Sequence, residues 1–297
     1  MSKVKTTVIG SYPVDFDNLE LFKKYDAQEN VSWNKYIDAA VKDMVKAGID
    51  IVSDGQTRDP FVNIFLRKLN GCRIRNRPEI IDKVEYREPI TVEDQKYVKK
   101  IIPKDHCVVG LITGPYTLMK SSIDMFYNDE KQLAFDIAKA LNHEAKNLEK
   151  HVDLVSVDEP FYSVEMPDYA KELMKTVLKN VNMTTRLHIC GDVSEIVPNV
   201  LEMPVDILSH EFKAKPKLFK QFKKYDVSKK ICLGSVRSDD TRVETVDEIV
   251  KHLQNGNDVF DGKIVQVSPD CGLRMLPRDV AFEKLKNLVK ACGKVYD

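Results

Sequence analysis

The feature that most limits the fold is a regular alternation of short apolar runs with longer amphipathic segments along the chain. The runs are rich in valine, isoleucine and leucine, which is typical of strands buried on both faces. Most are followed by a helical pattern, and no Ser/Gly/Pro-rich linker or low-complexity tract divides the series. The eight runs span residues 6–10, 49–52, 107–112, 154–157, 185–189, 206–209, 231–235 and 264–267.

Eight such strands separated by helices predict a closed parallel sheet with helices outside, a (β/α)8 TIM barrel formed as a single domain by residues 1–297. A doubly wound open sheet is the alternative. That fold normally carries a glycine-rich phosphate turn after its first strand, and Ile-Gly-Ser-Tyr-Pro at 9–13 does not match the motif.

Helix boundaries follow from capping residues and apolar spacing. Ser32 is a candidate N-cap for a helix that Gly48 would end, and Thr245 with Glu248 forms a capping-box pattern for a helix closing near Gly256. A longer excursion occupies residues 57–105. The predicted helices span 32–47, 61–69, 91–101, 131–151, 168–180 and 278–292, in addition to the one after Thr245.

Charge and targeting signals exclude several classes of partner. Lysine plus arginine number 46, as do aspartate plus glutamate, so the net charge is zero. Nucleic acids and anionic membranes both favour a basic surplus, so neither is expected as a partner. The first residues do not form a signal peptide and no apolar run is long enough to span a bilayer, which predicts a cytoplasmic protein.

The six cysteines are scattered, so a reducing compartment would keep them as thiols or metal ligands rather than disulfides. Simple packing explains Cys72, Cys107, Cys232 and Cys292. The other two occupy strand ends. In a barrel, residues at the carboxyl ends of all strands converge on one mouth, which predicts a common cavity for Ser11, Gln56, Asp158, His188, Cys190, Glu211, Asp239 and Cys271.

Four of these residues predict a zinc site: His188, Cys190, Glu211 and Cys271. His188 and Cys190 are two apart on a strand and project to the same side. Two thiolates, an imidazole and a carboxylate suit tetrahedral Zn²⁺ and not a hard cation. A four-ligand zinc is usually structural, but ligands from three separate strands at a barrel mouth favour a reactive ion whose carboxylate an incoming thiol can displace.

Several motifs, in the same order over nearly the whole chain, resemble the C-terminal catalytic half of cobalamin-independent methionine synthase, most closely its short archaeal versions. They are Ile-Gly-Ser at 9–11, Tyr-Arg-Glu-Pro-Ile-Thr-Val-Glu at 86–93, Thr-Gly-Pro at 113–115, Asp-Glu-Pro at 158–160, His-x-Cys-Gly at 188–191 and Pro-Asp-Cys-Gly-Leu at 269–273.

The resemblance implies a zinc-bound L-homocysteine thiolate that attacks a methyl group to give methionine. Asp158 would then pair with the amino group of homocysteine, and the backbone around Ile9, Gly10 and Ser11 would hold its carboxylate. Zinc suits this chemistry, because a thiol with an ordinary pKa near 8.5 is deprotonated when it coordinates the ion.

Three departures from the family pattern concern the substrate and the methyl donor. Gln56 stands where the family has a glutamate that binds the amine. The tryptophan on which methyltetrahydrofolate stacks is missing after residues 113–119, and Asp239 aligns with the histidine that would protonate the departing folate. We therefore expect methylcobalamin or a methylated corrinoid protein as donor, with methyltetrahydrofolate as the alternative, because cobalt(I) leaves without a general acid.

Other functions remain open at the level of sequence. A methyltransferase acting on coenzyme M or another small thiol would keep the zinc but have no use for Asp158. A lyase of the uroporphyrinogen decarboxylase kind shares the barrel but needs an arginine cluster and no metal. A barrel with structural zinc that binds a partner is the non-enzymatic alternative.

Overall fold

The computed structural model describes residues 3–17, 19–27, 29, 31–58 and 60–297. Met1 and Ser2 of the predicted domain, and Asp59 of the 57–105 excursion, lie outside the described residues. The strands are β1 (Lys5–Thr6), β2 (Ile51–Val52), β3 (Leu69–Ile74), β4 (Pro78–Tyr86), β5 (Cys107–Thr113), β6 (Ile123–Asp124), β7 (Leu154–Asp158), β8 (Thr184–Ile189), β9 (Ile207–His210), β10 (Lys230–Val236) and β11 (Ile264–Pro269).

Eight of these strands form a nearly closed parallel barrel in a single domain, which confirms the predicted fold. Their order is β1-β11-β10-β9-β8-β7-β5-β2. A single parallel bridge between Thr7 and Ile51 joins the first and last strands of this order and completes the ring. Consecutive barrel strands are therefore neighbours, and their carboxyl ends meet at one mouth.

The helices cover the outside of the barrel. None of them, within the described part of the chain, is both long and apolar enough to cross a membrane. They are α1 (Leu19–Asp26), α2 (Asn34–Ala47), α3 (Phe61–Leu66), α4 (Val92–Ile101), α5 (Pro115–Lys120), α6 (Glu130–Leu148), α7 (Ala170–Val177), α8 (Val197–Leu201), α9 (Lys217–Phe222), α10 (Val246–Phe260) and α11 (Arg278–Tyr296), with a 3₁₀ turn at Pro160–Ser163.

Two of the predicted helix ends are confirmed and two are wrong. Gly48 ends α2 in the left-handed conformation, at φ 90°, and Thr245 and Glu248 form a reciprocal capping box. Ser32 is not the N-cap of α2, because the N-cap is the next residue, Trp33, and the helix begins at Asn34. Gly256 does not end α10; a Cβ there would lie 2.7 Å from Leu233, so the glycine allows close packing of the helix on the barrel.

A β-hairpin in the 57–105 excursion was not predicted. β3 and β4 pair antiparallel, and β6 adds to β4 in parallel. Gly71 makes the pairing possible, because its φ is +74° and a Cβ would lie 2.4 Å from the Lys83 carbonyl oxygen, at a point where the register shifts. The strands are polar on their exposed face, so they lack the continuous apolar run by which the barrel strands are recognised.

A buried ion pair fixes the loop between β10 and α10 to the last helix. Lys284 on α11 lies 2.7 Å from Glu244, and the two side chains are 0% and 1% exposed. Glu244 also accepts a hydrogen bond from the backbone amide of Arg237, at 2.7 Å. The pair therefore holds both ends of the loop that follows β10.

Replacing Lys284 by methionine should lower the free energy of unfolding by about 3–5 kcal/mol, because it leaves the Glu244 carboxylate buried without its partner. Lys286→Met is the matched control: it lies on the same helix and breaks an exposed pair with Glu283, which should cost less than about 1 kcal/mol. Urea unfolding followed by circular dichroism measures both. Equal losses for the two variants would contradict the role of the buried pair.

Candidate active site

A cavity of about 620 Å³ opens at the carboxyl ends of the barrel strands. It brings together six of the eight residues predicted to share the mouth: Ser11, Gln56, Asp158, His188, Cys190 and Cys271. Ile9 and Gly10, whose backbone is predicted to contact the substrate, also line it. Residues more than 250 positions apart meet here because the ring of strands closes.

Three ligand atoms converge on one wall of this cavity. The Nε2 atom of His188 lies 3.0 Å from the Cys190 sulfur, which lies 2.7 Å from the Cys271 sulfur. All three atoms are within 4.8 Å of one another. His188 and Cys190 come from the end of β8, whereas Cys271 follows β11, which β9 and β10 separate from β8 in the ring. The cluster therefore depends on the barrel and not on a local loop.

The imidazole of His188 is held in the state that a metal requires. Its Nδ1 atom lies 3.1 Å from the Ser209 hydroxyl, which fixes the ring and leaves Nε2 directed at the cysteines. Burial, together with the charge of Arg186, lowers the pKa of His188 well below its usual value. The ring is therefore neutral and can donate a lone pair.

The two thiols suit a soft or borderline cation. Their mutual hydrogen bond, and then burial, raise the pKa of Cys190 well above its ordinary value. A divalent cation reverses this effect, because it stabilises thiolates directly. Two sulfurs and a neutral imidazole are typical ligands of Zn²⁺ and poor ligands of Mg²⁺ or Ca²⁺. The residues present thus fit the predicted metal.

Glu211 is not among the three residues whose ligand atoms converge, nor does it line the cavity. It directly follows β9, and its carboxylate accepts a hydrogen bond from the backbone amide of Gly191. Burial raises the pKa of Glu211, and this hydrogen bond opposes the change. Because Glu211 lies beside Gly191, next to Cys190, it remains the predicted fourth ligand. The prediction that it lines the cavity is wrong.

Asp239 lies outside the cavity, contrary to the prediction. Its Oδ1 atom is 2.8 Å from Nε of Arg237, and the aspartate side chain is 58% exposed. The hydrogen bond with Arg237 lowers the pKa of Asp239, so the group is an ion-paired carboxylate. Arg237 is only two residues away in the same exposed loop, so the ion pair forms without contact to the cavity. A carboxylate paired with an arginine is a poor proton donor.

Asp158 ends β7 and lies beside His188, its partner in the β7–β8 register. Burial raises the pKa of Asp158 to about 6, while Arg186 and a hydrogen bond from Ser156 oppose the rise. Around neutral pH the group is therefore mainly a buried carboxylate. It faces a cavity that can hold a cationic ligand group.

Backbone contacts join the loops after β1, β2 and β11 beside Cys271. The backbone of Ser11 accepts a hydrogen bond from Leu273, at 2.7 Å, and Tyr12 donates to Gly55, at 2.9 Å. Gly10 has φ +55°, and a Cβ there would lie 3.0 Å from the Gln56 side-chain oxygen. Gln56 itself has φ 44°, an uncommon conformation for a residue with a side chain. Backbone contacts therefore hold these three loops in one arrangement.

Several lining residues were missed from sequence. They lie on loops or at the first residue of a short helix, where no periodic pattern marks them, and they are Pro60, Phe61, Pro160, Gly272, Arg274 and Met275. Met275 is 89% exposed and Phe61 is 39% exposed, so the rim is partly apolar. The available clues were the motifs themselves: Pro160 and Gly272 lie within two of them, and Arg274 directly follows Pro-Asp-Cys-Gly-Leu.

A parallel barrel with a thiol–imidazole cluster and a buried carboxylate at its carboxyl-end mouth defines an enzyme of the TIM-barrel class. The family described as "Cobalamin-independent synthase, Catalytic domain" matches residues 4–294. The chain belongs to this cobalamin-independent methionine synthase family and is a methyltransferase.

Individual relatives agree over nearly the whole chain. The methionine synthase of Methanocaldococcus jannaschii is 36% identical over 96% of this chain and 97% of its own length. That of Methanothermobacter marburgensis is 34% identical over 97% and 99%. A solved B12-independent methionine synthase from Shewanella sp. W3-18-1, in complex with selenomethionine, superposes with a TM-score of 0.84 at 25% identity, covering 99% of this chain and 98% of that one.

If the cluster holds zinc, the purified protein should contain about one zinc ion per chain, and Cys271→Ser should lose it to a competing chelator because a ligand is gone. Cys72→Ser is the control, since Cys72 lies in the hairpin and not in the cluster. Elemental analysis after dialysis measures both. Zinc retained equally by all three proteins would place the ion elsewhere.

Proposed function

We propose that this methyltransferase acts on the thiol of L-homocysteine and forms methionine, with Zn²⁺ bound by His188, Cys190 and Cys271 and with Glu211 as fourth ligand. The observation that carries the proposal is that the thiol–imidazole cluster and the buried Asp158 carboxylate share one cavity. A thiol-activating group and an amine-binding group are the two elements that an amino-acid thiol requires.

Zinc, when bound, would supply the positive charge that lowers the pKa of the substrate thiol. The chain supplies the rest. Ser209 orients His188 through Nδ1, so that the imidazole remains neutral and directed at the cysteines. Glu211 is the most readily displaced member of the set, since thiolates bind zinc more firmly than a single carboxylate.

The amino-acid end of the substrate would contact the residues of the cavity that adjoin the cluster. Asp158 accepts the ammonium group, and the backbone of Ile9, Gly10 and Ser11 binds the carboxylate. Gln56 adds a neutral amide, so Asp158 supplies the formal negative charge for the amine on its own. The selenomethionine bound to the Shewanella relative is an amino acid of the same kind as the proposed product.

For the methyl donor we propose methylcobalamin or a methylated corrinoid protein. Attack by the thiolate forms the sulfur–carbon bond and breaks the cobalt–carbon bond, and the electron pair stays on cobalt, so no proton is needed. Asp239 is an ion-paired carboxylate outside the cavity and is unsuited to donate one. The chain's single tryptophan, Trp33, is buried against Phe22, Tyr25 and Tyr36 and cannot stack on a folate.

The test is methionine formation from L-homocysteine by the zinc-loaded protein, with methylcobalamin and methyltetrahydrofolate in parallel reactions. We expect methionine from methylcobalamin and a much lower rate from methyltetrahydrofolate, because the protein lacks the tryptophan on which the folate would stack and has Asp239 in place of the histidine that would protonate it. Cys271→Ser should abolish both by removing a zinc ligand, which separates catalysis from spontaneous transfer.

Equal rates from the two donors would overturn the donor assignment while leaving the homocysteine reaction in place. Methionine from neither donor, with zinc present, would reject homocysteine methylation from these donors.

A further inference from the structure

Arg186 is a fully buried cation inside the barrel, and the roles assigned so far do not use it. Its guanidinium donates to the hydroxyl of Ser156 through Nε, at 3.1 Å, to the side-chain oxygen of Gln266, at 3.1 Å, and to the carbonyl oxygen of Val8, at 3.2 Å. Among the described residues, every acceptor of its hydrogen bonds is neutral. A buried arginine without a paired carboxylate is costly, which points to a function.

The strand register places Arg186 directly below the site. On β8, Arg186 and His188 are two residues apart and therefore project to the same side of the strand. On β7, Ser156 and Asp158 are their partners in the parallel ladder, Ser156 beside Arg186 and Asp158 beside His188. The cation therefore lies one layer deeper than the cavity, next to the strand that carries the amine-binding carboxylate.

Ser156 connects the two. Its hydroxyl lies 3.1 Å from Arg186 Nε and 2.9 Å from Asp158 Oδ1. A guanidinium can only donate hydrogen bonds, so the serine oxygen must accept from it. The single hydroxyl proton is then free for Asp158, and Oδ1 must be the acceptor. The direction of the chain of hydrogen bonds is thereby fixed, and Oδ2 is left for a ligand in the cavity.

We infer that Arg186 and Ser156 are positioning residues that hold Asp158 as an oriented carboxylate for the ammonium group of an amino-acid substrate. The inference rests on the proposed function, since it gives Asp158 that partner. It extends the proposal by making selectivity for the amino group depend on two residues that do not line the cavity.

The test compares two ligands that differ only in the amino group: L-methionine and 4-(methylthio)butanoate. In calorimetric titrations of the zinc-loaded protein, Ser156→Ala should weaken L-methionine about tenfold, the usual scale for a lost hydrogen bond to a charged group. Affinity for 4-(methylthio)butanoate should not change. Ser235→Ala is the matched control, because it removes another buried strand hydroxyl, one that donates to Leu233, and should leave both affinities unchanged.

If Arg186→Met folds, it should likewise lose affinity for L-methionine but not for 4-(methylthio)butanoate. If it does not fold, Ser156→Ala alone decides the test. Adding Ser156→Ala to Asp158→Asn should not lower the affinity for L-methionine further, because Ser156 acts only through Asp158. If Asp158→Asn itself fails to weaken L-methionine, the proposed function of Asp158 is wrong. If Asp158→Asn weakens binding of L-methionine but Ser156→Ala does not, the positioning role of Arg186 and Ser156 is overturned. The same holds if Ser156→Ala weakens binding of both ligands equally.

Discussion

The structure depends on closure of the parallel barrel. The two cysteines of the cluster lie 81 residues apart and follow strands that are not neighbours. They meet only because each strand in the ring starts at the same end and stops at the same mouth. Closure itself involves short strands at one side, β1 and β2, joined by the bridge between Thr7 and Ile51. The site is thus a property of the whole ring.

Burial gives the site its electrostatic character. Within one cavity the protein places the Cys190 thiol, which is difficult to ionise, an imidazole that stays neutral and a carboxylate whose pKa rises to about 6. The ionised forms of the thiol and of the carboxylate are unfavourable without a partner, and each is stabilised by a different part of the proposed complex. A divalent cation stabilises the thiolates, and a substrate ammonium stabilises Asp158. Arg186 supplies a fixed positive charge beneath both.

Sequence predicted the barrel and most of the cavity for physical reasons. Strands buried on both faces must be apolar throughout, so all eight were recognisable, and their ends identified His188, Cys190 and Cys271. The β3–β4 hairpin escaped because one face is polar. For Asp239 and Glu211 the sequence predicted the position after a strand correctly but the direction of the side chain wrongly. Side-chain direction in a loop depends on local partners, which are Arg237 for Asp239 and the Gly191 amide for Glu211. Arg186 was visible as a charge in an apolar strand, but its contacts with Ser156 and Gln266 require the closed barrel.

X-ray absorption at the zinc edge, recorded on the zinc-loaded protein before and after addition of L-homocysteine, shows whether the substrate thiol coordinates the ion. Thiol activation by direct coordination predicts two sulfur ligands before addition and three afterwards, with loss of an oxygen ligand as Glu211 is displaced. An unchanged coordination shell with homocysteine bound would contradict the account, because the ion would then be a structural part of the barrel and not the group that prepares the thiol.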